Sequence, residues 1–250
     1  MTYEQAAAEA QAAAATAGVE IVPATTVDEL DELRITMGAV WGRQVVPPRN
    51  VLRGMAIGGA GLLVARRDGQ AVGFALGWLG WTGGPHFHSH QVGVLSAARA
   101  TGAGVALKLA QRAQCLQHDI TEMRWTFDPL LAANATFNLV RLGARVVGFL
   151  PNCYGARDDV FNSGDITDRV EVSWQLDRPV GGDWVQPNGR DGIAVPADYQ
   201  RLRAHDPARA ALLRRDVGTA FAALFADAGA IDGLCRLDDG VAYVVAAADG

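Results

Sequence analysis

The stretch Arg99-Ala100-Thr101-Gly102-Ala103-Gly104 links a predicted strand to a predicted helix through small residues. The strand is predicted at residues 87–95, and the helix runs from about residue 104 to 117, where apolar residues recur with helical spacing. The first backbone N–H groups of such a helix have no partner inside it and lie at the positive end of its dipole. Two glycines give an anion close access to these groups and Arg99 adds a guanidinium, so the loop predicts an anion site.

Two other phosphate-binding loops do not fit this stretch. A Walker A loop needs Lys and then Ser or Thr after its second glycine, where this chain has Val105-Ala106. A dinucleotide-binding loop needs a third glycine at the position of Leu107, and it needs parallel crossover strands where this sequence has a hairpin pattern. The alternative that stays open is a glycine-rich turn without a ligand.

Composition limits the classes of function. The chain has 250 residues, half of them apolar, with a net charge of -5 and no run of Lys or Arg, so we expect a globular protein that does not bind nucleic acid. No stretch is typical of a membrane helix or a secretory signal, so we expect a cytoplasmic protein with no membrane partner. The wide spacing of Cys115, Cys153 and Cys235 indicates reduced thiols rather than disulfides or a metal site.

The order of predicted elements indicates an α/β (α+β) fold, a mixed sheet covered by helices over residues 19–177. Asp68-Gly69 predicts a hairpin, and Thr26 with Glu29 predicts a capping box at a helix start. The predicted strands are residues 19–23, 61–65, 71–78, 87–95, 123–127, 145–150 and 170–176. The predicted helices are residues 26–41, 50–57, 104–117 and 134–142.

The two ends of the chain fall outside this predicted sheet. Residues 1–18 predict an alanine-rich helix, which we expect to be appended or partly frayed. Residues 178–250 predict a C-terminal extension that consists of a linker at 178–190, a helix at 206–228 and a hairpin at 231–246. Arg214 and Arg215 are expected on the solvated face of that helix.

The loop resembles the acyl-coenzyme A loop of the GNAT (GCN5-related N-acetyltransferase) superfamily, Gln/Arg-x-x-Gly-x-Gly/Ala, at every specified position. The predicted element order is similar to that fold, and the run from Asn134 to Ala144 resembles the family's Asn-start helix, with Ala144 in place of an aromatic residue. The resemblance implies a mostly antiparallel sheet with a splayed central strand pair that admits the pantetheine arm. It also implies an acyl-coenzyme A co-substrate, with further contacts from Asn134 and Asn138.

Four longer strings resemble a GNAT subgroup found beside N-acylamino acid racemases. They are His88-Ser89-His90, Trp125-Thr126-Phe127-Asp128-Pro129, Asn152-Cys153-Tyr154-Gly155 and Asn162-Ser163-Gly164-Asp165-Ile166-Thr167-Asp168-Arg169. Members of that subgroup are associated with N-succinylation of amino acids. The resemblance therefore implies a small-molecule amine as acceptor and acetyl-CoA or succinyl-CoA as donor.

Direct acyl transfer needs a neutral amine, stabilisation of the tetrahedral oxyanion and a proton for the leaving thiolate. The resemblance assigns the carbonyl and pantetheine contacts to the backbone of Val92 or Val94. His86, His88 and His90 alternate along the predicted strand, so they share one face, and the ordinary pKa of histidine suits a base. These histidines have two other interpretations, purely structural hydrogen bonding and a zinc site.

Between the histidines, the resemblance favours His88, which lies where several GNAT enzymes have their base, and His90 is the alternative. The family's helix tyrosine corresponds to Leu139, so Tyr154 is the candidate acid, although a thiolate can also leave unprotonated. Asp128 is a candidate partner of the acceptor ammonium and Arg169 of a carboxylate. Each of these residues is also compatible with a structural role.

Three functions remain compatible with the sequence. The first is an acyl-CoA-dependent N-acyltransferase, and the second is a non-catalytic GNAT-like module that binds acyl-CoA, which the missing helix tyrosine favours. The third is metal-dependent hydrolysis at the three strand histidines. A homodimer is also expected, because strand edges and the C-terminal extension offer surfaces for a second copy.

Overall fold

The computed structural model describes residues 1–155 and 165–247, so residues 162–164 of the last subgroup string lie outside it. The chain forms two compact units. Among the described residues, the first unit contains residues 1–124 and 175–179, and the second contains residues 125–155, 165–174 and 180–247. Strand β5 passes from the first unit into the second.

The first unit contains four helices and most of a mixed sheet. Its helices are α1 (Tyr3–Ala17), α2 (Val27–Trp41), α3 (Arg49–Ile57) and α4 (Ala103–Gln117). Its strands are β1 (Glu20–Pro23), β2 (Gly61–Arg67), β3 (Gln70–Gly80), β4 (His86–Val94) and the start of β5 (Glu122–Phe127). They lie in the order β1-β2-β3-β4-β5, with antiparallel neighbours from β1 to β4 and a parallel pair of β4 and β5.

Local signals explain where several of these elements begin and turn. Thr26 and Glu29 form the predicted capping box at the start of α2. Asp68 and Gly69 turn the chain between β2 and β3 with φ values of 50° and 76°, the left-handed region that a tight hairpin turn requires. Leu30, Leu33 and other apolar residues of α2 and α3 pack on one face of β2 and β3.

Helix α1 is an ordered part of the first unit, which corrects the expectation of an appended or frayed helix. Thr2 and Gln5 form a capping box at its start, and Gly18 ends it in the left-handed conformation. The helix packs against α4, and its Glu9 carboxylate lies 2.7 Å from the buried guanidinium of Arg112. Alanines allow this close approach because their side chains are small.

The second unit contains the rest of β5, the other strands and the C-terminal extension. Its helices are α5 (Ala132–Ala135), which continues as a π-helical segment (Thr136–Arg141), α6 (Tyr199–His205) and α7 (Pro207–Ala226). Its strands are β6 (Arg145–Leu150), β7 (Arg169–Gln175, apart from its last residue), β8 (Gly192–Pro196), β9 (Ile231–Leu237) and β10 (Gly240–Val245). Strand β7 lies between β5 and β6, and the extension forms a separate sheet of order β8-β10-β9.

Two features of this unit differ from the sequence prediction. Strand β8 and helix α6 were not predicted, because short elements of mixed polarity give a weak periodic signal. Part of the predicted linker is held in place, since the N–H groups of Gly181 and Gly182 donate to the carbonyls of Leu142 and Val140. Gly143 has a φ of 80°, and a Cβ there would clash with the Gly181 backbone, so only glycine fits this contact.

In the part of the chain that the structure describes, no helix is both long enough and apolar enough to span a membrane.

Candidate functional site

The predicted anion loop lies directly before α4. Ala100 and Gly102 have φ values of 62° and 95°, which bend the chain sharply from the end of β4 into the helix. Gly102 is the N-terminal cap, and no side chain among the described residues makes a capping hydrogen bond there. The backbone N–H groups of Ala103, Gly104 and Val105 therefore have no partner within the helix and lie at its positive end. Such a helix start can hold a phosphate.

Arg67 fixes this loop to the end of α1. Its guanidinium donates to the Thr101 hydroxyl at 3.2 Å and to the Ala17 carbonyl at 2.9 Å. Thr101 in turn donates to the Ala98 carbonyl at 2.8 Å. The loop shape is thus set before any ligand binds, whereas the side chain of Arg99 is exposed to solvent. Nothing in the local sequence identifies Arg67 for this role, because its partners come from distant parts of the chain.

Strand β4 carries a bulge among the histidines. Leu76 lies opposite Gln91 and the next β3 residue, Gly77, lies opposite Ser89, so His90 is the extra residue. A bulge bends and twists a strand and redirects its side chains, and bulges are frequent beside active sites. The simple alternation expected along this strand is therefore interrupted at His90.

The other edge of β4 pairs with β5 over a short distance. The recorded pairs are Phe87 with Met123 and His88 with Arg124. Within the described residues, β4 has no further ladder partner on this edge from Ser89 to Val94. This exposes backbone of the segment that contains Val92 and Val94, as the predicted splay requires, while both valine side chains pack toward α4.

The histidines share a face with Trp78 of β3. The Trp78 ring centroid lies 5.3 Å from that of His88 and 4.9 Å from that of His90, and the two imidazoles are 5.9 Å apart. His86 is buried, and its Nδ1 lies 2.9 Å from the Gly84 carbonyl. The structure thus brings His88 and His90 together against one indole, and it gives His86 a structural hydrogen bond.

The protonation of His88 differs from that of an exposed histidine. Its pKa is lowered to about 4, mainly because burial disfavours the imidazolium, with smaller contributions from the charges of His90, His86 and Lys108. At neutral pH the imidazole is uncharged and can accept a proton. It is a weaker base than the ordinary histidine pKa implies.

A buried polar group occupies the opposite face of β4. Lys108 of α4 donates to the Ser89 hydroxyl at 2.8 Å, and Ser89 donates to Gln111 at 2.8 Å. Burial lowers the pKa of Lys108 well below its usual range. The sequence gives no signal for this group, because a lysine in an amphipathic helix is ordinarily placed on the solvated face.

In the second unit, the buried Arg214 of α7 binds two carboxylates. Its guanidinium contacts both oxygens of Asp128 at 2.7 Å, and it lies 2.8 Å from Asp165. The expectation that Arg214 lies on a solvated face is therefore wrong, whereas Arg215 is exposed. The reason is tertiary, since its partners lie 86 and 49 residues away in the chain.

Further groups join this cluster. Arg203 lies 3.6 Å from Asp165, and the Tyr199 hydroxyl donates to Asp165 at 3.0 Å. Burial raises the pKa of Tyr199 to about 12, so its phenol stays protonated. The C-terminal extension thus supplies three residues that stabilise the two carboxylates.

The other candidates of the second unit lie near this cluster. The guanidinium of Arg169 lies 3.9 Å from Asp128 and 5.5 Å from the centre of the Tyr154 ring. The Tyr154 hydroxyl, on a partly exposed side chain, is 3.2 Å from the Thr126 hydroxyl of β5. Asp128, Tyr154 and Arg169 are therefore neighbours, but the carboxylate of Asp128 already has Arg214 as a partner.

Asn134 and Asn138 have different environments. Asn134 is exposed near the start of α5, whereas the Asn138 side chain is buried and accepts from the Trp125 indole at 3.1 Å. Leu139, which stands where the family has a tyrosine, is buried in the π-helical segment. Residues 1–155 and 165–247 contain no cluster of three or more His, Cys, Asp and Glu side chains that could hold a metal ion, so the zinc interpretation of the histidines has no ligand set there.

The chain is similar to known proteins in sequence and in fold. Residues 30–149 match the family described as Acetyltransferase (GNAT) family. The fold is similar to Naa50 of Arabidopsis thaliana in complex with the bisubstrate analogue CoA-Ac-MVNAL, at 18% identity and a TM-score of 0.51, over 62% of this chain and 97% of that one. It is also similar to the ribosomal-protein-S18-alanine N-acetyltransferase of Escherichia coli, at 11% identity and a TM-score of 0.51, over 67% of this chain and 99% of that one.

No curated protein matches the chain in sequence. The predicted fold class, a mixed and mostly antiparallel sheet flanked by helices, is confirmed by the strand order and by the two similar structures. The family match excludes α1 and everything after β6, so the C-terminal extension is additional to the matched region. The match of residues 30–149 to the GNAT acetyltransferase family, together with the similar fold, agrees with the predicted enzyme class, an acyltransferase.

Proposed function

We propose that this chain transfers an acetyl or succinyl group from acyl-CoA directly to the amine of a small molecule such as an amino acid. The observation that carries the proposal is the start of α4, where Ala100 and Gly102 have positive φ and no side chain among the described residues caps the first N–H groups. These groups would hold the pyrophosphate of coenzyme A, with Arg99 as an added cation. The Arabidopsis protein of similar fold is in complex with a bisubstrate analogue that contains CoA, which supports coenzyme A as the ligand.

The unpaired edge of β4 would receive the pantetheine arm. Backbone N–H groups near Val92 and Val94 lie beyond the last pair with β5, so they are available to amide and thioester carbonyl oxygens of the arm. Preorganised N–H donors lower the barrier because they stabilise the charge that develops on the oxyanion. This is the oxyanion contribution of the proposed mechanism.

His88 would act as a proton acceptor that is already uncharged at neutral pH. With a pKa of about 4 it cannot remove a proton efficiently from a resting ammonium, whose pKa is several units higher. The ammonium therefore loses its first proton to water, and the neutral amine then attacks the carbonyl carbon. Once that bond has formed, the remaining N–H protons become far more acidic. We therefore assign His88 to that later step, with His90 as the alternative acceptor and Tyr154 as the candidate donor to the thiolate.

The proposal also covers the identity of the acceptor amine and of the acyl chain. Resemblance to the racemase-associated subgroup supports an amino acid acceptor and succinyl-CoA as an alternative donor. Arg169 has the charge to bind a carboxylate of either substrate. Asp128 is the weaker candidate for an ammonium, because Arg214 already binds both of its oxygens.

Release of free thiol tests the proposal. The purified protein should release coenzyme A from acetyl-CoA or succinyl-CoA only when an amino acid is present, and mass spectrometry should identify the N-acyl product. Tight binding of acyl-CoA without product from any amine would instead identify the non-catalytic module.

A further inference from the structure

An apolar groove lies next to the histidine face in the first unit. It has a volume of about 510 Å³, within the range of small-molecule sites. Its lining residues are Met55, Gly58, Gly59, Ala60, Trp78, Leu79 and Trp81. One wall is therefore the end of α3 with the backbone that follows it, and the other wall is the end of β3. None of the lining side chains is charged.

Two residues of the β3 wall are unusually exposed for their size. Trp81 is 71% exposed and Leu79 is 47% exposed. Single apolar residues on a surface need no explanation, but neighbouring ones that line a concave site indicate a binding surface. Burial of this surface by a ligand would be favourable in proportion to the apolar area removed from water.

Trp78 connects the groove to the candidate proton acceptors. Its indole lines the groove and also lies 5.3 Å from His88 and 4.9 Å from His90, measured between ring centroids. A molecule in the groove would therefore have one end beside the histidines. The Trp78 side chain thus contacts the groove on one side and the histidines on the other.

We propose that the groove binds the side chain of the acceptor, and that the acceptor is an amino acid with a large apolar side chain. This inference rests on the proposed function, because it requires an amine to reach His88 or His90. The lining includes two tryptophans on one side and two glycines on the other, so aromatic side chains should bind best. A charged side chain would lose its hydration here without gaining a charged partner among the lining residues.

The test compares acceptors of different side chain. The specificity constant kcat/KM is measured for glycine, leucine, phenylalanine, glutamate and lysine with the same acyl donor. Phenylalanine should exceed glycine by at least about 10-fold, because burial of several methylene-sized groups is worth that much, and glutamate should be the poorest. Trp81→Ala should lower kcat/KM for phenylalanine at least about 10-fold more than for glycine.

Ile35→Ala provides a matched control, since Ile35 is 74% exposed on α2 and does not line the groove. This variant should keep the wild-type preference. Turnover with equal kcat/KM for glycine and phenylalanine, or an equal loss for both in Trp81→Ala, would overturn the groove assignment and leave the transferase intact.

A second measurement decides the inference if no amine turns over. Calorimetry with coenzyme A present should detect N-acetylphenylalanine binding at least about 10-fold more tightly than N-acetylglycine, and Trp81→Ala should remove the difference. Preferential binding without turnover would support the groove and contradict the transferase. If Trp81→Ala changes only the molecular mass measured by sedimentation, and not the binding of either ligand, the groove is an interface between copies of the chain. The inference would then be wrong.

Discussion

The loop before α4 and the cluster around Arg214 both gather polar groups, but they differ in how those groups are used. At the loop, the first N–H groups of α4 have no capping side chain among the described residues, and Arg99 is exposed. In the cluster, Arg214 is buried and contacts both Asp128 and Asp165. A site for a ligand keeps donors available, whereas a structural site uses them within the fold. Changes at the two places should therefore affect different properties.

The largest effect on ligand binding is expected for Gly104→Val. A side chain there would occupy the space that the pyrophosphate needs, so coenzyme A binding should be abolished while the protein remains folded. Calorimetry and circular dichroism measure the two properties. Gly54→Ala is the control, because a Cβ at Gly54 meets no atom within 4 Å. Unchanged affinity in the valine variant would remove the loop from the site.

His88→Ala should reduce turnover by roughly 10²–10⁴ with little change in acyl-CoA affinity, since general-base assistance contributes that much. The lowered pKa of His88 also moves the expected pH dependence of the rate to lower pH. Because the pKa of His88 is about 4, the rate should rise with pH through about 4 and not near 6.5. This rise of the rate with pH, the acidic limb of the profile, should be absent in His88→Ala. If His90→Ala loses the limb and His88→Ala retains it, the acceptor is His90.

Arg214→Met should lower the stability of the protein, in contrast to the changes at the loop and at His88, which should affect ligand binding or turnover. Removal of one partner from a buried ion pair leaves uncompensated charge, which typically costs about 3–5 kcal/mol of stability. Urea denaturation should show this loss. Arg215→Ala, at the exposed neighbouring position, should change the free energy of unfolding by less than about 0.5 kcal/mol. Equal effects of the two changes would contradict the buried cluster.

Arg99→Ala should have a smaller effect than the glycine change and should leave stability unaltered. A charge-assisted hydrogen bond to phosphate contributes about 1.5–3 kcal/mol, so coenzyme A should bind more weakly by that amount. The loss should shrink at high salt, because the side chain is exposed. Arg145→Ala, also exposed, should bind coenzyme A like the wild type.

The smallest expected effect is a change in the pH dependence of stability for Lys108→Met. Because burial lowers the pKa of Lys108 in the folded state, the unfolded chain binds more protons between that pKa and about 10.4. Wild-type stability should therefore rise with pH across this range, and methionine should remove this part of the slope. Denaturation at pH 7, 8 and 9 measures it, and an identical slope in both proteins would show that Lys108 is not buried as a neutral amine.

Most regular elements could be predicted because they depend on neighbouring residues. The Thr26 capping box, the Asp68-Gly69 turn and the start of α4 are local features, and each lies where the sequence indicated. Strand β8 and helix α6 were missed because their signals are short. The turn of small residues into α4 was likewise recognisable from the sequence, whereas its role as an anion site stays a prediction.

The sequence alone was thus enough to predict most elements of residues 19–177, the turn of small residues before α4 and the histidines on one strand. Only the tertiary structure decided the bulge at His90, the contact of Trp78 with two histidines, the low pKa of His88 and the burial of Arg214. The physical reason is that these properties depend on atoms far apart in the chain. Burial and charge act through space, and neither can be read from the spacing of residues along one strand or helix.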